Sequence, residues 1–584
     1  MYASCTNAVA SSVWPGDSLD SLCLANRRNS SYTSGKSFSA ACALPCSIAI
    51  RICVTSLISP IITQRVAQNQ QPNFAVHETR KRNRIRRDGA RANLLRFAPE
   101  EFSGATMLSV LGQSTKLCDG MTRRELMRVG GLSLFAGLSL PRLLRAAESR
   151  PAVRPGRAKS VILFNLLGGP SQMDMFDLKP LAPVEVRGEF HPISTSVPGL
   201  QICEHLPNTA RLMHKTCLIR TVTHGYNAHN PLPIMTGYTD GNFGQLRVEP
   251  TDPPDIGAIC QYLGLGPRDL PGAVCLPCYP GWGESSMYPG IRRPGPYGGF
   301  LGSQYDPLFA VCEPKFDREP KVNYYDPIMP MGEPKLTSLD EAPDITVNRL
   351  DQRRSILDQL DSQFKATRRS GAVDRMSRFQ QRAFDILTSS NTRDAFDLSK
   401  ESDSVRDRYG RHLSGSSLLV ARRLVESGVP FISVHAEIFG KYGHSYDMHE
   451  NNFGMLKNAN LPILDQSWPA LIEDLDARGL LDSTLVIVMG EMGRTPKINA
   501  KAGRDHWPQC SFSLLAGGGV KHGFVFGETD KQAAYPKSHP VSPGDLVATI
   551  YQLLGIDPHL TVPDRTGRPV PIAHGGEPIR DVMA

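Results

Sequence analysis

Carboxylates and imidazoles recur in this chain directly behind apolar runs, and divalent-metal chemistry needs that pairing. The run Leu485–Met489 ends in Gly490-Glu491-Met492-Gly493-Arg494-Thr495-Pro496, and Gly503-Arg504-Asp505-His506-Trp507-Pro508 follows shortly after. If the chain turns back after Pro496, Glu491, Asp505 and His506 come within reach of one another. Hard oxygen and imidazole donors together suit a divalent cation; the plainer account is a loop whose charges are only solvated. Farther upstream, Asp447 and His449 stand with one residue between them in Tyr446-Asp447-Met448-His449. They could supply two ligands to one ion, or belong to a polar surface loop. Asp174 and Asp177 follow Gly168-Gly169-Pro170; one could ligate metal while the other caps a turn, and the choice between them stays open. His224 and His229 lie five apart in a further loop, where a histidine is more often a surface residue than a ligand.

Such side chains need a frame. The five consecutive apolar residues Leu485–Met489 read as a strand buried on both faces of a parallel sheet, and such a strand delivers its last residues to the crevice at the carboxyl edge. Ser160–Leu167, Cys217–Val222, Val429–His435 and Phe512–Ala516 read as further strands. The two glycines after the first allow a sharp turn and close backbone approach to a ligand. Residues 345–427 carry helical spacing, closed by Gly428, and Trp468–Leu480 reads as an amphipathic helix. Val541–Asp557 holds another, with Ser542 as its cap and Pro543 at its first position. The alternation predicts an α/β fold, a three-layer α/β/α sandwich with a mostly parallel central sheet. Residues 238–340, rich in Gly, Pro and Tyr, read as a long excursion over the sheet and a candidate lid.

The charge is uneven. Residues 1–147 hold 19 Lys and Arg against 8 Asp and Glu, whereas the remaining residues hold 46 against 49, so the net of +8 belongs to the leader. It gives no reason to expect nucleic acid as a partner of the body. Of the 13 cysteines, seven lie after residue 147. Cys275 and Cys278 have the spacing of a local disulfide or of two ordinary thiols, and no second such pair accompanies them to make a zinc knuckle.

Residues 1–120 read as a mis-called or disordered extension. Met121-Thr122-Arg123-Arg124, the apolar run Val129–Leu140 and Ala146-Ala147 have the parts of a twin-arginine export signal over 121–147. The apolar run is too short to span a bilayer. The expected start is therefore Met121 or Met107, and the expected destination is the periplasm or the exterior.

These motifs together resemble the exported domain-of-unknown-function family numbered fifteen hundred and one, over roughly residues 121–575. That family is similar in turn to the alkaline phosphatase and sulfatase superfamily: Thr484–Gly493, Leu514–Val520 and Val541–Asp557 match its C-terminal strand, glycine turn and helix. Two departures matter. Glu491-Met492 stands where sulfatases carry a metal-binding Asp followed by His or Asn, and Met is a poor ligand for a hard metal. No Cys, Ser or Thr lies between Gly225 and Met235, where the nucleophile would be, so the formylglycine route has no support.

The resemblance implies an exported hydrolase of sulfate or phosphate esters, small or polysaccharide. It would hold zinc, calcium or manganese among Asp177, Asp447, His449, Glu491, Asp505 and His506, with His229 and Arg494 on the anionic group. The alternative is a sulfatase-like binding or assembly protein without catalysis.

Overall fold

The computed structural model describes residues 153–241, 248–277, 294–312, 315–319, 321, 325–336, 385–386, 389–436 and 445–584. The leader, the export segment, Cys278 and residues 345–384 of the expected helical insertion lie outside them.

Eight strands form the main sheet: β1 (Ser160–Asn165), β2 (Thr216–Val222), β3 (Ala273–Leu276), β4 (Leu308–Phe309), β5 (Phe431–His435), β6 (Thr484–Met489), β7 (Ser511–Ala516) and β8 (Phe524–Phe526). Their order is β8-β2-β7-β6-β1-β5-β3-β4. All neighbours are parallel except at β7, which runs antiparallel to β6 and to β2. The connection from β6 to β7 carries no helix, and a parallel return would need a crossover of that kind.

Among the helices that cover the faces are α1 (Ile256–Tyr262), α2 (Leu413–Glu426), α3 (Leu461–Ala477) and α4 (Pro543–Leu554). The layering follows from the two-residue period of a strand. Ile162 and Phe164 of β1 pack with Leu418, Trp468 and Leu471 of α2 and α3, whereas Val161 and Leu163 pack with Ile259, Val547 and Tyr551 of α1 and α4. Every residue of β1 and β6 is buried, as continuous apolar runs in a doubly covered sheet require.

Two elements differ from the sequence reading. Helix α3 starts at Leu461, seven residues before Trp468, and carries Pro469 inside it. Burial of Leu461, Ile463 and Leu464 outweighs the local cost of proline there. Residues 238–340 are more than an excursion, since they supply α1, β3 and β4 to the sheet's edge and face. Those strands are too short to stand out in a Gly- and Pro-rich stretch.

The α4 cap is as the sequence indicates. Ser542 Oγ accepts the Asp545 N–H at 3.1 Å, and the Asp545 carboxylate accepts the Ser542 N–H at 2.9 Å. Pro543 opens the helix and Gly555, at φ 77°, ends it. Replacing Ser542 with alanine should lower stability by about 1 kcal/mol, read as a shifted urea midpoint with an unchanged slope.

Candidate metal centre

Strand register brings the site together. Asn165 pairs with Met489 on one side and His435 on the other, so β1, β5 and β6 end side by side. The loops that follow them carry Gly168 and Gly169, Asp447 and His449, and Glu491 to one edge. Strand β2 runs in the same direction and delivers His224 and His229 there. Antiparallel β7 begins at that edge, so His506 arrives just before it. Arg494 and His506 then pair in a two-residue antiparallel ladder, Gly493–Arg494 with His506–Trp507.

Four side chains converge. The ligand-capable atoms of His229, Asp447, His449 and His506 all lie within 4.8 Å of one another. Asp447 Oδ1 stands 3.1 Å from His229 Nε2, 3.0 Å from His449 Nε2 and 3.4 Å from His506 Nε2. His449 Nε2 and His506 Nε2 are 3.0 Å apart, and two imidazole nitrogens that close need a proton or a cation between them. Ligand atoms about 3.3 Å apart are what a tetrahedral ion with bonds of ~2.0–2.1 Å requires. The donor set therefore fits a divalent metal.

The opposite ring nitrogens are also held. His229 Nδ1 lies 2.8 Å from Glu491 Oε1, and His449 Nδ1 lies 2.7 Å from Asp505 Oδ1. A carboxylate on Nδ1 fixes the ring with its proton there and leaves the Nε2 lone pair for an ion, the usual support of metal-binding histidines. Glu491 is itself fixed by the Gly168 N–H, 2.8 and 3.1 Å from its two oxygens. Gly168 has φ 109°, and a Cβ on it would fall 2.3 Å from Asp447 N; only glycine allows that approach. His224 braces the same spot as a neutral ring. The Tyr226 N–H donates to its Nδ1 at 3.1 Å, so Nε2–H donates to the Glu491 carbonyl at 2.8 Å. Burial pushes its pKa down to about 4.

Burial alone would raise the Asp447 carboxyl, but the rings of His229, His449 and His506, when they carry a proton on Nε2 in place of an ion, donate to it and hold it far below the usual range. Burial works against a charged His229, yet Asp447 and Glu491 raise it. Asp447 likewise raises His449. Burial dominates at His506 and lowers it. One carboxylate among imidazoles thus stays ionised at every ordinary pH.

The sequence-nominated residues divide by position. Asp447, His449, His506 and His229 are in the cluster. Glu491 and Asp505 stand one step back, on the histidines' Nδ1 atoms. Asp177 is not brought to the cluster: its carboxylate pairs with Lys179 at 2.9 Å, faces Arg220 at 3.6 Å and accepts the Thr529 hydroxyl. Asp174 is also elsewhere, bound by Arg504 at 2.7 and 2.8 Å and by Ser171 and Asn452. Arg494 is fully buried and donates to Asp447 Oδ1 at 2.6 Å, to the Gly169 and Arg504 carbonyls at 2.9 and 3.0 Å, and to the Gly168 carbonyl. Its guanidinium is thereby committed to protein atoms, so it holds Asp447 and leaves no fork for an anion.

Sequence reasoning missed Gln172, whose side-chain amide bonds both the N–H and the carbonyl of Arg494. Only its position in Gly168-Gly169-Pro170-Ser171-Gln172 pointed to it.

The family described as Protein of unknown function (DUF1501) matches residues 158–583. No curated protein matches the chain. Solved structures similar to it include Ps i-CgsB in complex with k-i-k-neocarrahexaose, at a TM-score of 0.32 and 14% identity over 68% of this chain and 72% of that one. The PsFucS1 sulfatase from Pseudoalteromonas sp. scores 0.30 at 12% identity, over 71% and 70%. The phosphonate monoester hydrolase of Agrobacterium radiobacter scores 0.29 at 12% identity, over 72% and 78%. Likeness of that size carries no argument about activity.

Proposed function

We propose, for a chain that belongs to the DUF1501 family of proteins of unknown function, a metal-dependent hydrolase of sulfate or phosphate esters. The observation that carries the reading is the convergence of three imidazole Nε2 atoms and Asp447 Oδ1, two of the rings being oriented from behind by carboxylates. His229, Asp447, His449 and His506 would hold the ion. Three nitrogen donors favour zinc or another first-row transition metal over calcium. When bound, such an ion supplies Lewis-acid polarisation of an ester oxygen and lowers the pKa of water from ~15.7 toward ~7.

The chain's own residues set the stage for that chemistry. Glu491 and Asp505 fix the ring tautomers, and Arg494 fixes the Asp447 oxygen. The cluster is buried on one side and open on the other: the His229 side chain is 6% exposed, whereas those of His449 and Asp505 are 35% and 55% exposed. Substrate would approach from the His449 side. A nucleophile activated without a hydroxyl or thiol agrees with the lack of Ser, Thr and Cys between Gly225 and Met235.

Export by the twin-arginine route to the periplasm or exterior belongs to the same proposal, and so do small-molecule or polysaccharide esters as substrates. Among the described residues no helix is long and apolar enough to cross a membrane.

The test is elemental mass spectrometry of the purified protein, followed by a screen of sulfate and phosphate esters. About one transition-metal ion per chain, and hydrolysis that a chelator stops, is the expected result. A folded protein that takes up no metal on dialysis would turn the reading to a binding or assembly module.

A further inference from the structure

The hydrolase reading leaves one irregular turn without a role. Across Leu456–Asn460, directly ahead of α3, the Leu461 N–H donates to the Leu456 carbonyl, five residues back instead of four. Pro462 supplies a local cause, because it has no N–H for the Asn458 carbonyl and its ring would strike that carbonyl in a tighter turn. Widened turns of this kind are rare and gather at functional sites.

The turn carries Asn460, which is 1% exposed. Its side-chain amide donates to the Ser445 carbonyl at 3.1 Å and lies 3.8 Å from the Met448 sulfur, and its own carbonyl accepts the Tyr446 hydroxyl at 3.3 Å. These partners bracket Asp447 in the chain, and His449 follows directly. The Ser445 hydroxyl in turn accepts the Asp447 N–H at 3.1 Å. Two further bonds fix the same segment, both at 3.0 Å: the Tyr446 N–H donates to the Leu167 carbonyl, and the Arg504 N–H donates to the Met448 carbonyl. Asn460 Oδ1, by contrast, is buried and meets no partner among the described residues. An apolar side chain of the same size would avoid that cost, so packing alone does not account for an amide here.

We infer that Asn460 is a positioning residue of the cluster: it sets where Asp447 and His449 stand, and the wide turn aims it. The inference rests on the metal reading for what those two side chains hold, and on the hydrogen bonds alone for where they stand. Asp447 Oδ1 is the point on which three rings converge, at 3.0 to 3.4 Å. Slack on the Asn460 side would move that oxygen from all three rings at once, whereas losing the carboxylate behind one histidine loosens a single ring.

The test is zinc titration of the full chain beside urea denaturation, for wild type, Asn460→Leu, Tyr446→Phe and Leu475→Ala. Leu475 is a buried core residue of the adjoining helix α3, so its loss weakens packing alone. Asn460→Leu should bind zinc about tenfold more weakly and Tyr446→Phe about threefold more weakly. Leu475→Ala should lower the urea midpoint and keep the wild-type zinc affinity. The inference is overturned if Asn460→Leu binds zinc as tightly as wild type, or if Leu475→Ala weakens binding as much. Should Asn460→Leu fail to fold, Tyr446→Phe decides by the same comparison. A wild type that takes up no zinc ends the metal reading, and ring-nitrogen spectra of the metal-free protein labelled with nitrogen-15 histidine then decide this one. The resonances of His229, His449 and His506 should shift in Asn460→Leu and stay in place in Leu475→Ala; unmoved resonances in Asn460→Leu overturn it.

Discussion

Replacing His229 with alanine is expected to reduce bound divalent metal from about one ion per chain to background while the protein stays folded. His229 is the most buried of the three histidines and the only one whose ring is held between Asp447 and Glu491. Its loss removes one of four converging donors and leaves the Glu491 carboxylate with only the Gly168 N–H. Glu491→Gln should act more gently. Metal should still bind at the same stoichiometry, about 10- to 100-fold more weakly, because the residue orients a ligand without being one. Equilibrium titration with zinc, alongside circular dichroism, reads both variants. Full metal retention in His229→Ala would place the ion elsewhere and end the cluster's claim to it. Equal loss in both variants would make Glu491 a ligand.

The second large effect concerns Arg504. Its guanidinium and the Asp174 carboxylate are both fully buried and bonded at 2.7 and 2.8 Å, and the same guanidinium donates to the Val186 carbonyl at 2.8 Å and to the Thr495 and Pro496 carbonyls. Arg504→Met would leave Asp174 charged and buried with only Ser171 and Asn452 as donors. Breaking one side of such a pair costs about 3–5 kcal/mol, so the denaturant midpoint should fall well below that of the wild type. Adding Asp174→Asn to Arg504→Met should cost less than the two single changes summed, since the second removes the stranded charge. A single variant within about 1 kcal/mol of wild type would mean that water reaches the pair. Metal affinity should weaken too, because the Arg504 carbonyl accepts from Arg494, and Asp505 and His506 follow directly in the chain.

Much of this architecture is legible without coordinates. The apolar runs at Ser160, Thr216, Phe431, Thr484 and Ser511 become strands because unbroken apolar stretches are stable only when covered on both faces. Ser542 and Pro543 mark their helix because the backbone groups a cap satisfies lie within three residues of it. Residue chemistry also nominated Asp447, His449, Glu491, Asp505 and His506 as candidate ligands, beside Asp174 and Asp177, because carboxylates and imidazoles gather directly behind the apolar runs.

Tertiary structure decided which of them meet. Three loops, after β2, after β5 and between β6 and antiparallel β7, bring side chains up to 277 residues apart onto a single carboxylate oxygen. The direction of β7 alone determines that His506 arrives from in front of its strand. Glu491 and Asp505 reach Nδ1 atoms, whereas Asp447 reaches the Nε2 atoms. Arg494 and Asp177 carry suitable charges for the chemistry expected of them, but buried neighbours had already taken their hydrogen bonds. Composition and spacing set which atoms are available, and only the packed fold sets which remain free to bind.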